Sequence, residues 1–170
     1  MHRSVTIESA ASALVTALLA AGKTVAVAES CTGGWVAKAI TDIAGSSGCF
    51  SYGIVSYSND AKEALLDVDP ATLKEQGAVS EPTVREMATG VLDLSGADLA
   101  VAISGVAGPG GGTPDKPAGT VWFSWALRSP DGGVSVDAAL HRLTGDREAV
   151  RRQSVVLALD GLRERIKANG

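Results

Sequence analysis

The apolar positions of this chain repeat with two different spacings, which together predict a protein built from alternating helices and strands. Near the amino end, a helical repeat places Ile7, Ala11, Leu14, Val15 and Leu18 on one face. Near the carboxyl end, a similar spacing forms an apolar stripe of Val155, Leu159, Leu162 and Ile166. Short apolar runs that end in glycine or small polar residues predict strands between the helices. We predict helices over 5–21, 33–44, 60–66, 70–76, 81–95 and 145–168, and strands over 24–29, 52–57, 98–104, 119–127 and 133–141.

Several predicted boundaries carry a chemical signal of their own. Gly22 is placed to end the first helix and Gly96 the fifth. Ser80, with Pro82 in the following turn, is placed to begin that fifth helix. The segment 129–133 (Ser-Pro-Asp-Gly-Gly) is a strong turn signal, so we expect the last two strands to form an antiparallel hairpin.

The order of the elements predicts the fold class. The earlier strands alternate with helices, which favours parallel crossovers. We therefore predict an α/β fold, a three-layer α/β/α sandwich with a mixed, mostly parallel sheet, in a single domain over residues 1–170.

Composition and charge restrict the functions that this fold serves. Hydrophobic residues make up 45% of the chain and charged residues 20%, which is typical of a globular protein with an ordinary core. The formal charge of −4 argues against a nucleic-acid-binding protein, which would usually present a basic face.

The apolar run 10–21 resembles the core of a signal peptide, but Glu8 interrupts its flank, and we favour an amphipathic first helix. Nothing is long enough to span a bilayer, so we expect a cytoplasmic protein without a membrane partner.

The cysteines and histidines give no reason to expect a metal or another cofactor. Cys31 and Cys49 lack the CxxC spacing of a zinc or redox site. His2 and His141 are far apart in the sequence, and His2 lies at the chain terminus. We expect no metal and no cofactor.

The segment 26–35 (Ala-Val-Ala-Glu-Ser-Cys-Thr-Gly-Gly-Trp) predicts a strand that turns into a helix. It leaves Ser30 at the carboxyl end of that strand, where the free N–H groups at the start of a helix can bind an oxyanion or a phosphate. Ser30, Tyr57 and the pair 104–105 (Ser-Gly) all fall at predicted carboxyl ends of strands. We expect them to converge on one crevice.

Ser30 with Lys62 is the sharpest catalytic hypothesis that these residues offer. A serine hydroxyl needs a base, and a lysine can serve when burial or nearby positive charge lowers its pKa from a reference near ~10.4. Tyr57 is placed to hydrogen-bond this pair or to relay a proton. The alternative, which spacing alone favours, is that Lys62 is a surface lysine and Ser30 a helix cap.

Other groups compete for these roles. Cys31 lies where a helix start lowers a thiol pKa, although no histidine is visibly placed to pair with it. His141, the histidine that falls in a predicted element, lies on an edge hairpin. Glu29 is placed either to position Lys62 or to cap backbone amides.

Two further segments each allow two interpretations. Arg147, Arg151 and Arg152 crowd the first turns of the last helix, where positive charge opposes the helix dipole. They either form a solvated face with acidic neighbours or clamp a phosphate, for which Arg147 is the best candidate. The segment 108–119, rich in glycine and proline, has the spacing of neither a dinucleotide-binding loop nor a P-loop. It is either a mobile lid or an exposed connection.

Seven short blocks occur in a characteristic order along the chain. They are 28–34 (AESCTGG), 42–47 (DIAGSS), 57–62 (YSNDAK), 77–81 (GAVSE), 104–109 (SGVAGP), 119–122 (GTVW) and 145–147 (GDR). Together they resemble the C-terminal domain of the CinA family, the competence/damage-inducible proteins. The loop 110–115 is richer in glycine than this resemblance leads us to expect.

The resemblance implies an activity, because stand-alone members of that family are nicotinamide mononucleotide deamidases. It implies hydrolysis of the substrate carboxamide to nicotinate mononucleotide and ammonia, with Ser30 as nucleophile and Lys62 as base. Backbone N–H groups around Thr32 and Gly33 would hold the oxyanion. The expected substrate-binding residues are Thr32, Gly33, Gly34, Ser46, Ser104, Gly105 and Arg147.

We expect a small nucleotide as the partner, no nucleic acid, and a homo-oligomer, with a dimer favoured. The predicted edge strand 133–141, with Trp122 and Trp125, is placed to bury against a second copy. Alternatively, the spacing of the two tryptophans puts them on opposite faces of one strand, as ordinary core. The alternative function is a non-catalytic nucleotide-binding or interaction module.

Overall fold

Helices and strands follow one another in the predicted order in the computed structural model, which describes residues 4–169. The helices are α1 (Ile7–Ala21), α2 (Trp35–Thr41), α3 (Asn59–Leu66), α4 (Pro70–Gln76), α5 (Glu81–Ser95) and α6 (Arg147–Ala168). The strands are β1 (Val25–Glu29), β2 (Phe50–Val55), β3 (Leu99–Gly105), β4 (Thr120–Arg128) and β5 (Val134–Arg142). The predicted signals act as expected: Gly22 and Gly96 end α1 and α5 in the left-handed conformation, and Ser80 caps the start of α5.

The strands form one sheet in the order β2-β1-β3-β4-β5. β1 runs parallel to both β2 and β3, whereas β4 runs antiparallel to β3 and β5, so β4 is the one strand that points the other way. The turn 129–133 closes the β4–β5 hairpin, and within it the Ser129 N–H donates to the Gly133 carbonyl over 2.8 Å. The predicted mixed sheet with a terminal hairpin is confirmed.

Helices cover both faces of this sheet. α1, α2 and α6 pack on one face, and α3, α4 and α5 pack on the other. The predicted apolar faces of α1 and α6 are the buried ones, with side chains such as Leu14 and Leu159 fully removed from solvent. Burying one such leucine contributes about 1.5–3 kcal/mol. The three-layer α/β/α architecture is confirmed.

The two tryptophans of β4 lie on opposite faces of the sheet. Trp125 packs in the core under α6, where its Nε1–H donates to the Ala158 carbonyl over 3.3 Å. Gly161 makes room for this ring, because a Cβ at that position would lie 2.4 Å from it. Trp122 packs among the residues of the α5 layer. The alternation along the strand therefore explains why Trp125 is buried in the core while Trp122 is partly buried on the opposite face.

The apolar run 10–21 lies in α1, and its buried face belongs to the core. This agrees with the amphipathic helix that we favoured over a signal peptide. Among residues 4–169, no helix combines the length and the apolar character that crossing a membrane requires.

Two boundaries differ from the prediction in ways that shape the crevice. α2 begins at Trp35 rather than at 33, because Gly33 and Gly34 have φ values of 59° and 99° and interrupt the helix. β2 ends at Val55 rather than at 57, since the Ser58 side chain already caps α3. The short connection from β2 to α3 brings the first turn of α3 back over the sheet edge.

Candidate active site

The carboxyl ends of β1, β2 and β3 meet at one edge of the sheet. Just beyond β1, the Ser30 N–H donates to the Ile103 carbonyl of β3 over 3.0 Å. Just beyond β2, the Ser56 N–H donates to the Glu29 carbonyl over 2.9 Å. The sheet hydrogen bonding thus continues past the strand ends and fixes the backbone that carries Ser30.

A pocket of about 290 Å³ opens at this edge. Of the predicted site residues, it is lined by Ser30, Tyr57, Lys62, Ser104, Gly105 and Arg147. The expectation that Ser30, Tyr57 and 104–105 converge on one crevice is confirmed.

Lys62 reaches Ser30 from the opposite wall of the pocket. Its Nζ lies 3.1 Å from Ser30 Oγ, 2.6 Å from the Ser56 carbonyl and 3.4 Å from the Tyr57 carbonyl. The side chain is only 1% exposed, so the alternative of a surface lysine is wrong. Burial lowers the pKa of Lys62 from 10.5 to about 8. At that value roughly a tenth of the amine is uncharged at pH 7.

The Glu29 carboxylate caps the start of α2 rather than positioning Lys62. Its two carboxylate oxygens accept from the N–H groups of Val36 and Ala37, over 2.9 and 3.0 Å. The carboxylate is fully buried and supplies the acceptors that the first turn of α2 lacks within the helix. Of the two predicted roles for Glu29, amide capping is the one that the structure shows.

Cys31 is a poor nucleophile in this setting. Its side chain is buried, and this burial raises the pKa of the thiol to about 11. The expectation that a helix start would favour the thiolate is wrong, because desolvation outweighs the nearby positive groups.

The Tyr57 hydroxyl hydrogen-bonds to Arg147 and not to the serine or the lysine. Arg147, the first residue of α6, donates from Nη2 to this hydroxyl over 3.2 Å and from Nη1 to the Gly108 carbonyl over 2.8 Å. The Tyr57 side chain is 60% exposed, and only its carbonyl meets Lys62. The predicted hydrogen bond from the Tyr57 side chain to the Ser30–Lys62 pair is therefore not present.

The predicted oxyanion hole needs a correction at Gly33. Its N–H donates to the Ser30 carbonyl over 3.0 Å and so is already occupied. Thr32, Gly33 and Gly34 line a neighbouring pocket beside Trp35 and Arg151, not the one that contains Ser30.

A family model described as the CinA C-terminal domain matches residues 7–166. The chain belongs to the CinA C-terminal domain family. The nicotinamide-nucleotide amidohydrolase PncC of Escherichia coli (strain K12) is 53% identical over 153 residues, which cover 90% of each chain. The CinA-like protein of Chlorobaculum tepidum is 54% identical over 154 residues, 91% of this chain but only 36% of that protein.

A solved structure shows the same fold for this CinA domain. The crystal structure of a CinA superfamily protein from Klebsiella pneumoniae superimposes with a TM-score of 0.88 at 42% identity, covering 96% of this chain and 99% of that one. The predicted resemblance to the family is confirmed.

One predicted substrate-binding residue of this CinA domain, Ser46, lies at the other edge of the sheet. It begins a 3₁₀ turn over Ser46–Gly48 that precedes β2. The next residue, Cys49, accepts through its carbonyl from Val25 N at the start of β1, over 2.8 Å. The length of β1, about 15 Å, separates this turn from Ser30. The structure therefore does not bring Ser46 to the pocket.

His141 also lies outside the pocket and packs edge-on against Phe123, with ring centroids 5.4 Å apart. Within residues 4–169, whose one histidine is His141, no Ser-His-Asp arrangement forms around Ser30. The glycine-rich segment contributes Gly108, Gly110 and Gly111 to the pocket wall.

Sequence reasoning missed several features of the site. The Ser56 carbonyl is the nearest partner of the lysine, whereas the predicted strand 52–57 had placed Ser56 within the sheet. Ala78 and Val79 form an apolar part of the wall; they lie in the block 77–81, for which no role in the site was predicted. Arg151, one helical turn after Arg147, binds the backbone just beyond Ser30.

Proposed function

We propose that this chain hydrolyses the carboxamide of nicotinamide mononucleotide to nicotinate mononucleotide and ammonia. Ser30 is the nucleophile and Lys62 is the general base. The observation that carries the proposal is the buried Lys62 amine 3.1 Å from Ser30 Oγ, with a pKa lowered to about 8. The amidohydrolase name of the Escherichia coli relative, which matches this chain almost end to end, supports the choice of substrate.

The three oxygens around Lys62 suit both protonation states of its amine. In the uncharged form, the carbonyls of Ser56 and Tyr57 take the two N–H groups, and the lone pair faces the Ser30 hydroxyl. In the charged form, all three oxygens accept an N–H. The same three oxygens thus stabilise the Lys62 amine both before and after it takes up a proton.

The reaction then proceeds in two stages. Lys62 takes the hydroxyl proton as Ser30 Oγ bonds to the amide carbon, and the resulting oxyanion is held by backbone N–H groups. Lys62 gives its proton to the departing nitrogen, the C–N bond breaks, and ammonia leaves. Water, deprotonated by Lys62, attacks the acyl-enzyme and releases the carboxylic acid and the serine hydroxyl.

The remaining pocket residues suit the rest of the nucleotide. Ala78 and Val79 present apolar surface on which the pyridine ring can pack. Arg147 lies at the rim with a guanidinium that keeps unused donors beside Tyr57 and Gly108, so we assign it to the phosphate. Ser104 and Gly105, at the end of β3, face the same space and are assigned to the ribose side.

Release of ammonia from nicotinamide mononucleotide tests the proposal. The purified protein is incubated with the nucleotide, ammonia is measured by a coupled enzyme, and nicotinate mononucleotide is identified by chromatography. We expect both products in equal amounts. Binding of the nucleotide without ammonia would instead favour a non-catalytic nucleotide-binding module, and turnover of other amides only would change the substrate.

A further inference from the structure

Arg151 binds the backbone of the nucleophile turn from outside the pocket. Its Nε–H donates to the Cys31 carbonyl over 3.0 Å, and its Nη2 donates to the Thr32 carbonyl over 3.1 Å. These are the two carbonyls that directly follow Ser30. Because the guanidinium is planar and rigid, one side chain holds two successive peptide groups. The Thr32 carbonyl also accepts from the Trp35 N–H over 3.0 Å, so the contribution of Arg151 is greatest at the Cys31 carbonyl.

Arg151 is itself held against the same turn. Its guanidinium carbon lies 5.4 Å from the centre of the Trp35 ring, on the first residue of α2. Arg152 approaches the same ring at 5.6 Å, but its hydrogen bond goes to Glu148 on its own helix. The two neighbouring arginines therefore differ in one respect that matters here, which is the contact with the turn.

The direction of these carbonyls sets the direction of the N–H groups between them. In a trans peptide the carbonyl and the following N–H point in opposite directions. The Thr32 carbonyl faces Arg151, and the Gly33 N–H accordingly points back to the Ser30 carbonyl. The Cys31 carbonyl also faces Arg151, so the Thr32 N–H on the same peptide points away from that arginine. Cys31 lines the pocket that contains Ser30, so the peptide that joins Cys31 to Thr32 borders that pocket.

We propose that Arg151 is a positioning residue, which holds the peptide between Cys31 and Thr32 so that the Thr32 N–H is presented to the oxyanion. This inference rests on the proposed function. Arg151 does not line the pocket that contains Ser30, so it acts through the backbone rather than on the substrate.

The test compares Arg151→Ala with Arg152→Ala in steady-state ammonia release from nicotinamide mononucleotide. A misdirected donor lowers kcat by about 10- to 100-fold, while KM stays within about twofold because the substrate contacts remain. Arg151→Lys keeps one donor and should recover part of the lost kcat. Added guanidinium ion at a non-denaturing concentration should raise kcat of Arg151→Ala and leave Arg152→Ala unchanged.

Each result bears on the inference. A wild-type kcat for Arg151→Ala, a raised KM with unchanged kcat, or no response to guanidinium would overturn it. A shift in the pH at which the rate of Arg151→Ala rises would also overturn the inference. Such a shift would show that Arg151 acts through the charge of Lys62. If circular dichroism shows that Arg151→Ala is unfolded, Arg151→Lys decides: an intermediate kcat at unchanged KM supports positioning, and a wild-type kcat contradicts it.

Ser30→Ala in the same assay separates this inference from the proposed function. If Ser30→Ala still turns over, the proposed mechanism fails as a whole. If Ser30→Ala is inactive and Arg151→Ala behaves as wild type, only the positioning role fails.

Discussion

Burial rather than a charged partner sets the pKa of Lys62. Among residues 4–169, no carboxylate forms an ion pair with it, and its partners are a hydroxyl and two carbonyls. Desolvation destabilises the charged form of Lys62, and the neutral hydrogen-bond acceptors around it compensate only part of that cost. The pKa of the amine, about 8, therefore lies close to physiological pH, as the proposed role of general base requires.

Ser30→Ala should abolish deamidation while leaving nucleotide binding intact. The substitution removes the attacking oxygen and leaves the walls of the pocket in place. Turnover is measured by ammonia release, and binding by calorimetry with the intact nucleotide. Near-normal turnover would reject Ser30 as the nucleophile.

The pH dependence of kcat/KM should report the titration of Lys62. Only the uncharged amine accepts a proton, so the rate should rise with pH and level off above about 8, where the pKa of Lys62 lies. The measurement is a pH–rate profile in buffers of constant ionic strength. A rate already at its plateau at pH 6 would contradict Lys62 as the base.

Arg147→Ala should raise KM for nicotinamide mononucleotide far more than KM for nicotinamide riboside, which lacks the phosphate. The guanidinium at the pocket rim is assigned to that phosphate, and its loss removes a charge-assisted hydrogen bond. Tyr57→Phe is the matched control, because it removes the hydroxyl that Arg147 binds and keeps the cation. Equal effects on both substrates would point to a structural arginine.

At the scale of elements, the site is built where one strand turns into a helix. Gly33 and Gly34 allow a tight turn after β1, and the Glu29 carboxylate ties that turn to the start of α2. α3 and α6 approach from opposite faces of the sheet, and each supplies a side chain to the pocket. The geometry of Ser30 thus depends on the packing of both layers.

Glu29→Gln should lower the free energy of unfolding by about 1.5–3 kcal/mol, because it replaces a carboxylate that accepts two backbone N–H groups. Urea unfolding followed by circular dichroism measures the change. Glu148→Gln, which disturbs only an exposed ion pair with Arg152, should change stability by less than about 1 kcal/mol. Equal effects of the two substitutions would contradict the capping role.

At the scale of the whole molecule, the buried lysine costs stability. Between its pKa of about 8 in the folded state and 10.5 in the unfolded state, the unfolded chain binds more protons. The contribution of Lys62 to the free energy of unfolding therefore rises with pH across this interval. Below pH 8 the full cost, about 3 kcal/mol, is present.

Lys62→Met should therefore be more stable than the wild type at pH 7, and this advantage should shrink as pH rises from 8 towards 10.5. The readout is the difference in free energy of unfolding between the two proteins at several pH values. Both proteins carry Cys31→Ala in this comparison, because the Cys31 thiol, whose pKa is raised to about 11, interacts with the charge of Lys62 and would titrate differently in the two proteins. A difference that does not vary with pH would contradict a lowered lysine pKa.

Much of the architecture was predictable because it depends on local signals. Apolar periodicity identified the buried faces of α1 and α6, and single residues such as Gly22, Ser80 and Gly96 marked helix ends through backbone chemistry. The same strand-end logic placed Ser30, Tyr57 and Ser104 at one edge of the sheet. The least accurate predictions concerned contacts between residues far apart in the chain.

The sequence by itself determined the order of the elements, the layers, the family and the short list of polar residues at the strand ends. Only the tertiary structure decided that Lys62 is buried against Ser30, that the Tyr57 hydroxyl meets Arg147, and that Ser46 lies at the far edge. The reason is physical: periodicity and capping act within a few residues, whereas burial and side-chain direction depend on elements that the fold brings together. Desolvation of one amine is a property of the whole packed molecule.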